Sequence, residues 1–293
     1  MFSIDKEVEA YGAHLTITNF KFSTVNAYCR TLELFLHYCR EQFPEIAPGQ
    51  EQVQQYLLKR LDAGKSWFTI NADYSSLRKY FIVLRDFSWS LKKFPRPRKD
   101  DVLPSILSKE QVALLISAAP NFKYQVFLSV LYATGIRLSE ACHLKIADID
   151  SDRMQIRISK GKGGKDRFVQ LPDALLSTLQ EYSRIYRPEV YLFNGRRKGA
   201  AYSPSSGQWA MKHARKNAGI EKSCSIHTLR NCYATHHREL GTDLVYLKEQ
   251  LGHKHLKTTA KYIRLRVERY RQINHPIEQI QIHYRKERIT SEI

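Results

Sequence analysis

Four short segments of this 293-residue chain place cationic and proton-carrying side chains where packing alone has little use for them. Segment 133–140 carries Arg137 shortly after Gly135, a residue suited to ending a helix. In His227-Thr228-Leu229-Arg230 a histidine and an arginine stand three apart, on one face of a helix. Leu251-Gly252-His253 puts another histidine just past a second helix-ending glycine, and Lys261-Tyr262 follows in a basic stretch. A guanidinium stays protonated and can fork onto two oxygens of an anion. An imidazole moves protons near neutral pH, and a deprotonated phenol is a nucleophile.

Taken singly, each of these residues has a plainer use. Arg137 can be a structural partner of Glu140, most of the 11 histidines serve as surface or hydrogen-bonded core residues, and Tyr262 is one of 17 tyrosines. Segment 161–166, with Lys162 and Lys165, is first of all a glycine-rich hairpin turn. His236, His237, His253 and His255 raise a zinc site, but they lack nearby cysteines and an H-E-x-x-H pattern, so no metal is expected.

The elements that must position these groups can be read from periodicity. Residues 23–40 carry Val25, Tyr28, Leu32, Phe35, Leu36 and Cys39 on one helical face, with Ser23 or Thr24 as cap. Helices are also expected over 51–61 (Val53, Tyr56, Leu57 and Leu61 inward) and 68–87 (Ile70, Tyr74, Leu77, Phe81, Leu84). Arg78, Lys79 and Arg85 lie off that last stripe, placed either to meet phosphates or to form a solvated basic face. The proline-broken, charged segment 92–101 reads as a linker. A new helix begins at Ser108, with Gln111 as its capping-box partner. Strands are expected at 154–159 and 167–171, Pro172 ends their hairpin, and the remainder is helical with Gly241 and Gly252 as C-caps. The resulting organisation is a helical domain over 1–94, a linker over 95–106 and a second domain over 107–293.

Composition narrows the partner. Forty-seven Lys and Arg against 29 acids give a formal charge of +18, which favours an anionic partner, nucleic acid before a membrane surface. No apolar run reaches the roughly 20 residues of a membrane span. The N-terminus lacks the apolar core of a signal peptide, so an intracellular, cytoplasmic setting is expected. Five cysteines, an odd number without C-x-x-C spacing, read as reduced thiols.

In chain order the sequence offers an arginine, a hairpin lysine, His-x-x-Arg, Gly-His and a tyrosine. That series, in these local settings, resembles the tyrosine recombinase (phage integrase) family over nearly the whole chain. Its layout is similar to Xer-like and integron or mobile-element integrases of bacteria. The resemblance implies a mainly α fold with a small antiparallel β-sheet in the C-terminal domain. It also implies a two-domain DNA clamp, with a SAM-like helical N-terminal domain and a catalytic domain. By the same resemblance, Arg137 and Arg230 bind the scissile phosphate and Lys162 (with Lys165 as competitor) protonates the leaving 5′ oxygen. His227 assists proton transfer, His253 hydrogen-bonds the phosphate, and Tyr262 attacks to leave a 3′-phosphotyrosyl bond. No cofactor is implied. The implied partner is double-stranded DNA with a specific recombination site. The implied assembly is a homotetramer in the synaptic complex and a monomer or dimer when free, with accessory DNA-bending factors. The basic tail 264–293 is expected to pack on a neighbouring protomer. Two other classes stand beside this one: a type IB topoisomerase-like relaxing enzyme, and a catalytically silent DNA-binding relative.

Overall fold

The computed structural model describes residues 3–89, 96, 105–159, 166–197 and 199–260. The chain divides into two compact units, Met1–Val102 and Leu103–Ile293.

The described part of the first unit consists of α1 (Ile4–Ile17), α2 (Phe22–Gln42), α3 (Gln50–Asp62) and α4 (Trp67–Leu84). The apolar stripes form its core: Val25, Leu32, Phe35, Leu36 and Cys39 of α2 face Val53, Tyr56 and Leu57 of α3 and Ile70, Tyr74, Leu77 and Phe81 of α4. Phe35 meets the rings of Tyr56 and Phe81 edge-on, at centroid distances of 5.5 and 6.0 Å, the geometry the ring quadrupoles favour. Ser66 caps α4 by accepting the Thr69 N–H at 3.3 Å. The start of α2 departs from expectation. It begins at Phe22 with Lys21 as N-cap, so Ser23 and Thr24 are already inside the first turn and neither caps it. Helix α1 was not expected, because Asp5, Lys6, Glu7 and Glu9 obscure the spacing of its buried Ile4, Tyr11 and Leu15. Tyr11 Oη donates to the Ser76 carbonyl at 2.8 Å and Tyr80 Oη to Glu7 at 2.8 Å, tying α1 to α4.

The second unit opens with α5 (Lys109–Ser117), where Ser108 and Gln111 form the expected reciprocal cap at 3.2 and 3.0 Å. Next come α6 (Phe122–Thr134) and α7 (Leu138–Cys142). The sheet follows, with β1 (Ile149–Asp150), β2 (Gln155–Ile158) and β3 (Arg167–Gln170) antiparallel in that order. Ile156 pairs with both Ile149 and Val169, and Ile158 with Arg167. Strand β1 is an addition to the expected hairpin, because two residues are too few to show alternation. Helices α8 (Asp173–Tyr186), α9 (Pro204–Asn217), α10 (Ile226–Glu239), α11 (Leu244–Leu251) and α12 (Leu256–Ala260) complete the unit.

Helix α6 buries Val126, Phe127, Leu128, Val130 and Leu131, which point in several directions, so it forms the centre of this unit. Against it lies α10, whose buried positions include Thr228, Arg230, Asn231, Thr235 and His236. Thr228, Arg230 and His236 meet their polarity with specific hydrogen bonds, whereas the Thr235 hydroxyl has no partner among the described residues. The second unit thus joins a mainly helical architecture to one small antiparallel sheet. All five cysteines are free thiols. Among the described residues, no helix is long and apolar enough to cross a membrane.

Candidate active site

The last carbonyls of a helix have no partner within it and carry the negative end of its dipole. At the end of α11, backbone N–H groups of Gly252 and His253 satisfy the Glu249 and Lys248 carbonyls at 2.9 and 3.0 Å. The next three carbonyls each receive a guanidinium. Arg167 Nε donates to Gln250 at 3.0 Å, an Arg230 nitrogen donates to Leu251, and Arg137 Nη2 donates to Gly252 at 3.1 Å. One helix end therefore gathers arginines from β3, from α10 and from the N-cap of α7.

Two glycines make this approach possible. Gly135 ends α6 at φ +62°, and a Cβ there would lie 2.4 Å from the Tyr233 ring. Gly252 ends α11 at φ +58°, and a Cβ there would stand 3.1 Å from the Arg167 guanidinium. Both conformations belong to glycine by default. The Gly135 carbonyl in turn accepts from Arg230.

Arg137 and Arg167 share one carboxylate. Glu140 accepts from Arg137 Nη1 and its backbone N–H, both at 2.8 Å, and from Arg167 Nη1 and Nη2 at 3.0 and 2.7 Å. Burial raises the Glu140 pKa, but the hydrogen bonds and charge of Arg167, with those of Arg137, push it down to about 2. Arg230 is only 2% exposed, and its Nη2 stands 3.1 Å from His253 Nε2. A guanidinium has no acceptor, so His253 Nε2 accepts, and Nδ1–H donates to the buried Thr259 hydroxyl at 2.8 Å. The neighbouring groups thus select one histidine tautomer.

Arg137, His227 and Arg230 line a common pocket of about 200 Å³, joined by Gln208 of α9 and Ser225. His227 is exposed, in the first turn of α10, and Arg230 follows it inward. Lys162, Lys165, Tyr262 and the tail 264–293 lie outside the described residues, as does most of segment 92–101. Of the histidines weighed as a zinc site, His236 contacts Tyr132 and the Leu107 carbonyl, His237 contacts Thr242, and His253 faces Arg230. In the first unit, Arg78 and Lys79 line a groove of about 270 Å³ with Ser75 and Arg96, and Lys79 lies 4.9 Å from the Phe20 ring centroid. Arg85 is tied to Glu7 at 2.8 Å and to the Tyr80 hydroxyl at 2.9 Å.

Residues 105–269 match the phage integrase family, and residues 8–86 match the phage integrase N-terminal SAM-like domain. A putative integrase/recombinase of Sinorhizobium fredii, y4qK, is 33% identical over 266 residues, covering 90% of this chain and 86% of that protein. The chain belongs to the phage integrase family. A tyrosine recombinase of Thermosipho africanus is 30% identical over 274 residues, covering 89% of this chain and 95% of that protein. The same fold occurs in a lambda integrase tetramer bound to a Holliday junction, at TM-score 0.73 and 18% identity, covering 94% of this chain and 80% of that one.

For this recombinase, the topoisomerase-like and catalytically silent alternatives are not favoured. Sequence reading singled out Arg137, His227, Arg230 and His253, and the fold brings all four to one place. It missed Arg167, the second role of Glu140, and Thr259. Glu140 was visible as an i,i+3 neighbour of Arg137. Arg167 lies 27 positions from Glu140 and Thr259 six from His253, separations at which local periodicity says nothing about contact.

Proposed function

We propose that this recombinase cuts and rejoins DNA strands at a specific site through Tyr262, with Arg137, Arg230, His227, His253 and Lys162 as its helpers. The observation that carries the reading is the shared pocket of Arg137, His227 and Arg230, with His253 hydrogen-bonded to Arg230.

The chemistry follows from the groups. An ordinary phenol has a pKa of about 10, so at neutral pH about one in a thousand is ionised, a deficit of about 4 kcal/mol. Two guanidiniums on the non-bridging oxygens stabilise the charge that builds on phosphorus as the tyrosine oxygen attacks. His227 takes up the phenolic proton; His253 Nε2, once it gives up the Arg230 contact and carries a proton, donates to a phosphate oxygen. The P–O5′ bond breaks, and Lys162 delivers a proton to the departing 5′ oxygen. The 3′-phosphotyrosyl bond keeps the energy of the phosphodiester, so a 5′-hydroxyl can reverse the step without ATP. The guanidiniums supply the positive charge that other phosphoryl-transfer enzymes take from metal ions.

Exchange between two duplexes requires four active sites. A homotetramer on DNA is therefore the working assembly, and the lambda integrase tetramer on a Holliday junction supports that reading. The groove with Arg78 and Lys79 is suited to tracking a phosphate backbone. A protein acting on bacterial DNA works in the cytoplasm, at the nucleoid. The test uses suicide duplexes nicked beside the crossover point, with chelator present. Wild-type protein forms a denaturant-resistant adduct at a 3′ phosphate, and Tyr262→Phe binds the DNA without forming one. An adduct surviving in Tyr262→Phe would assign the nucleophile elsewhere.

A further inference from the structure

We propose that Arg167 is a positioning residue for Arg137, acting through Glu140; the inference rests on the recombinase reading above. Arg167 is the first residue of β3 and pairs with Ile158 across the hairpin. Its side chain is 12% exposed, and all three guanidinium nitrogens donate. Nη1 and Nη2 fork onto the two oxygens of Glu140 at 3.0 and 2.7 Å, and Nε reaches the Gln250 carbonyl at 3.0 Å. One side chain thereby joins three elements, β3, α7 and the end of α11. Arg167 does not line the pocket that holds Arg137, His227 and Arg230, so its influence has to be relayed.

Glu140 is the relay. Each of its oxygens accepts two hydrogen bonds, one from Arg167 and one from Arg137. A carboxylate this buried keeps its charge only while cations face it. Arg137 alone would have to supply that compensation if Arg167 were lost, and its guanidinium would be drawn toward Glu140 and away from an incoming phosphate. With Arg167 in place, the carboxylate is already neutralised and can orient Arg137 without cancelling it. A fork suits this role better than a point charge, because only a planar guanidinium meets both carboxylate oxygens and a carbonyl together.

The experiment compares single-turnover adduct formation on a nicked suicide duplex, and DNA affinity, for full-length wild type, Arg167→Gln, Arg167→Lys, Glu140→Gln and the Arg167→Gln/Glu140→Gln double variant. Arg167→Gln is expected to slow adduct formation by about 30- to 100-fold, with Kd within about threefold of wild type. Arg167→Lys, which keeps a charge against Glu140, should recover about tenfold of that loss. In the Glu140→Gln background, adding Arg167→Gln should cost less than about threefold more, because the relay is already gone. Equal losses in both backgrounds, or a loss expressed in Kd instead of rate, would overturn the proposal. Thermal melts establish folding, and if Arg167→Gln does not fold, Arg167→Lys alone and with Glu140→Gln decides by the same cycle. Absence of an adduct with wild type on DNA that it binds would overturn the recombinase reading and this inference with it. A wild-type adduct matched by the Arg167 variants would overturn the inference alone.

Discussion

Asp73 in the helical N-terminal unit and Glu140 in the catalytic unit are both carboxylates shielded from water and facing arginine, yet their acidities move in opposite directions. Asp73 has one cation: Arg60 Nε stands 2.8 Å from Oδ2 without hydrogen-bond geometry, and Thr31 donates to Oδ1 at 3.0 Å. Burial wins there, and the Asp73 pKa is raised. Glu140 has two cations and four hydrogen bonds, and its pKa is pushed down to about 2. In the first unit, Arg60 pairs with Asp73 and Arg85 with Glu7, one arginine to one acid. In the catalytic unit, two arginines share Glu140, while Arg230 rests on two carbonyls and a histidine. Carbonyls orient a guanidinium without cancelling its charge. That leaves positive charge at the pocket for an anion.

Removing one arginine from each region should separate the two roles. Arg230→Ala should lower adduct formation about a thousandfold, roughly 4 kcal/mol of transition-state stabilisation, measured in single-turnover assays. Arg60→Ala should lower thermal stability and leave the rate per folded molecule unchanged. A comparable catalytic loss from both would erase the distinction between scaffold and site.

A smaller effect is expected at the glycine that lets α6 end beneath Arg230. In Gly135→Ala, strain at positive φ and the collision with Tyr233 should destabilise the catalytic unit by about 2–4 kcal/mol, read from urea unfolding. An unchanged midpoint would mean that the close approach of α6 and α10 is not needed.

Smaller again are the two acid titrations, which should have opposite signs. Glu140 has a depressed pKa, so its contribution is present above the unfolded value of about 4.3 and is lost as pH falls toward about 2. Asp73 has a raised pKa, so stability falls as pH rises from the unfolded value of about 3.9 through the folded one. Urea midpoints across this acid range should show Glu140→Gln losing a segment in which stability rises with pH. Asp73→Asn should lose a segment in which stability falls. Slopes of the same sign would contradict the contrast.

Much of the scaffold was legible in the sequence because its signals are local. The stripes of α2 and α4, the Ser108–Gln111 cap and the glycines ending α6 and α11 each lie within a few residues. Arg137, His227, Arg230 and His253 were legible as a series, although spacing alone could not show that they meet. Helix α1 was hidden by its charged residues, and β1 by its length. The network beneath the site was hidden for a deeper reason. Arg167 meets Gln250 across 83 positions, and Arg137 meets Gly252 across 115, contacts that exist only once α11 has docked.

If Arg137 and Arg230 offer their charge to the phosphate, as proposed, a substrate with a neutral phosphate should need them less. Adduct formation would be measured for wild type, Arg137→Ala and Arg230→Ala on duplexes whose scissile phosphate is replaced by an uncharged methylphosphonate. Each variant's deficit on ordinary DNA should shrink by at least about tenfold on the neutral substrate, because less charge needs stabilising. Deficits of the same size on both substrates would show that these arginines only hold the fold together.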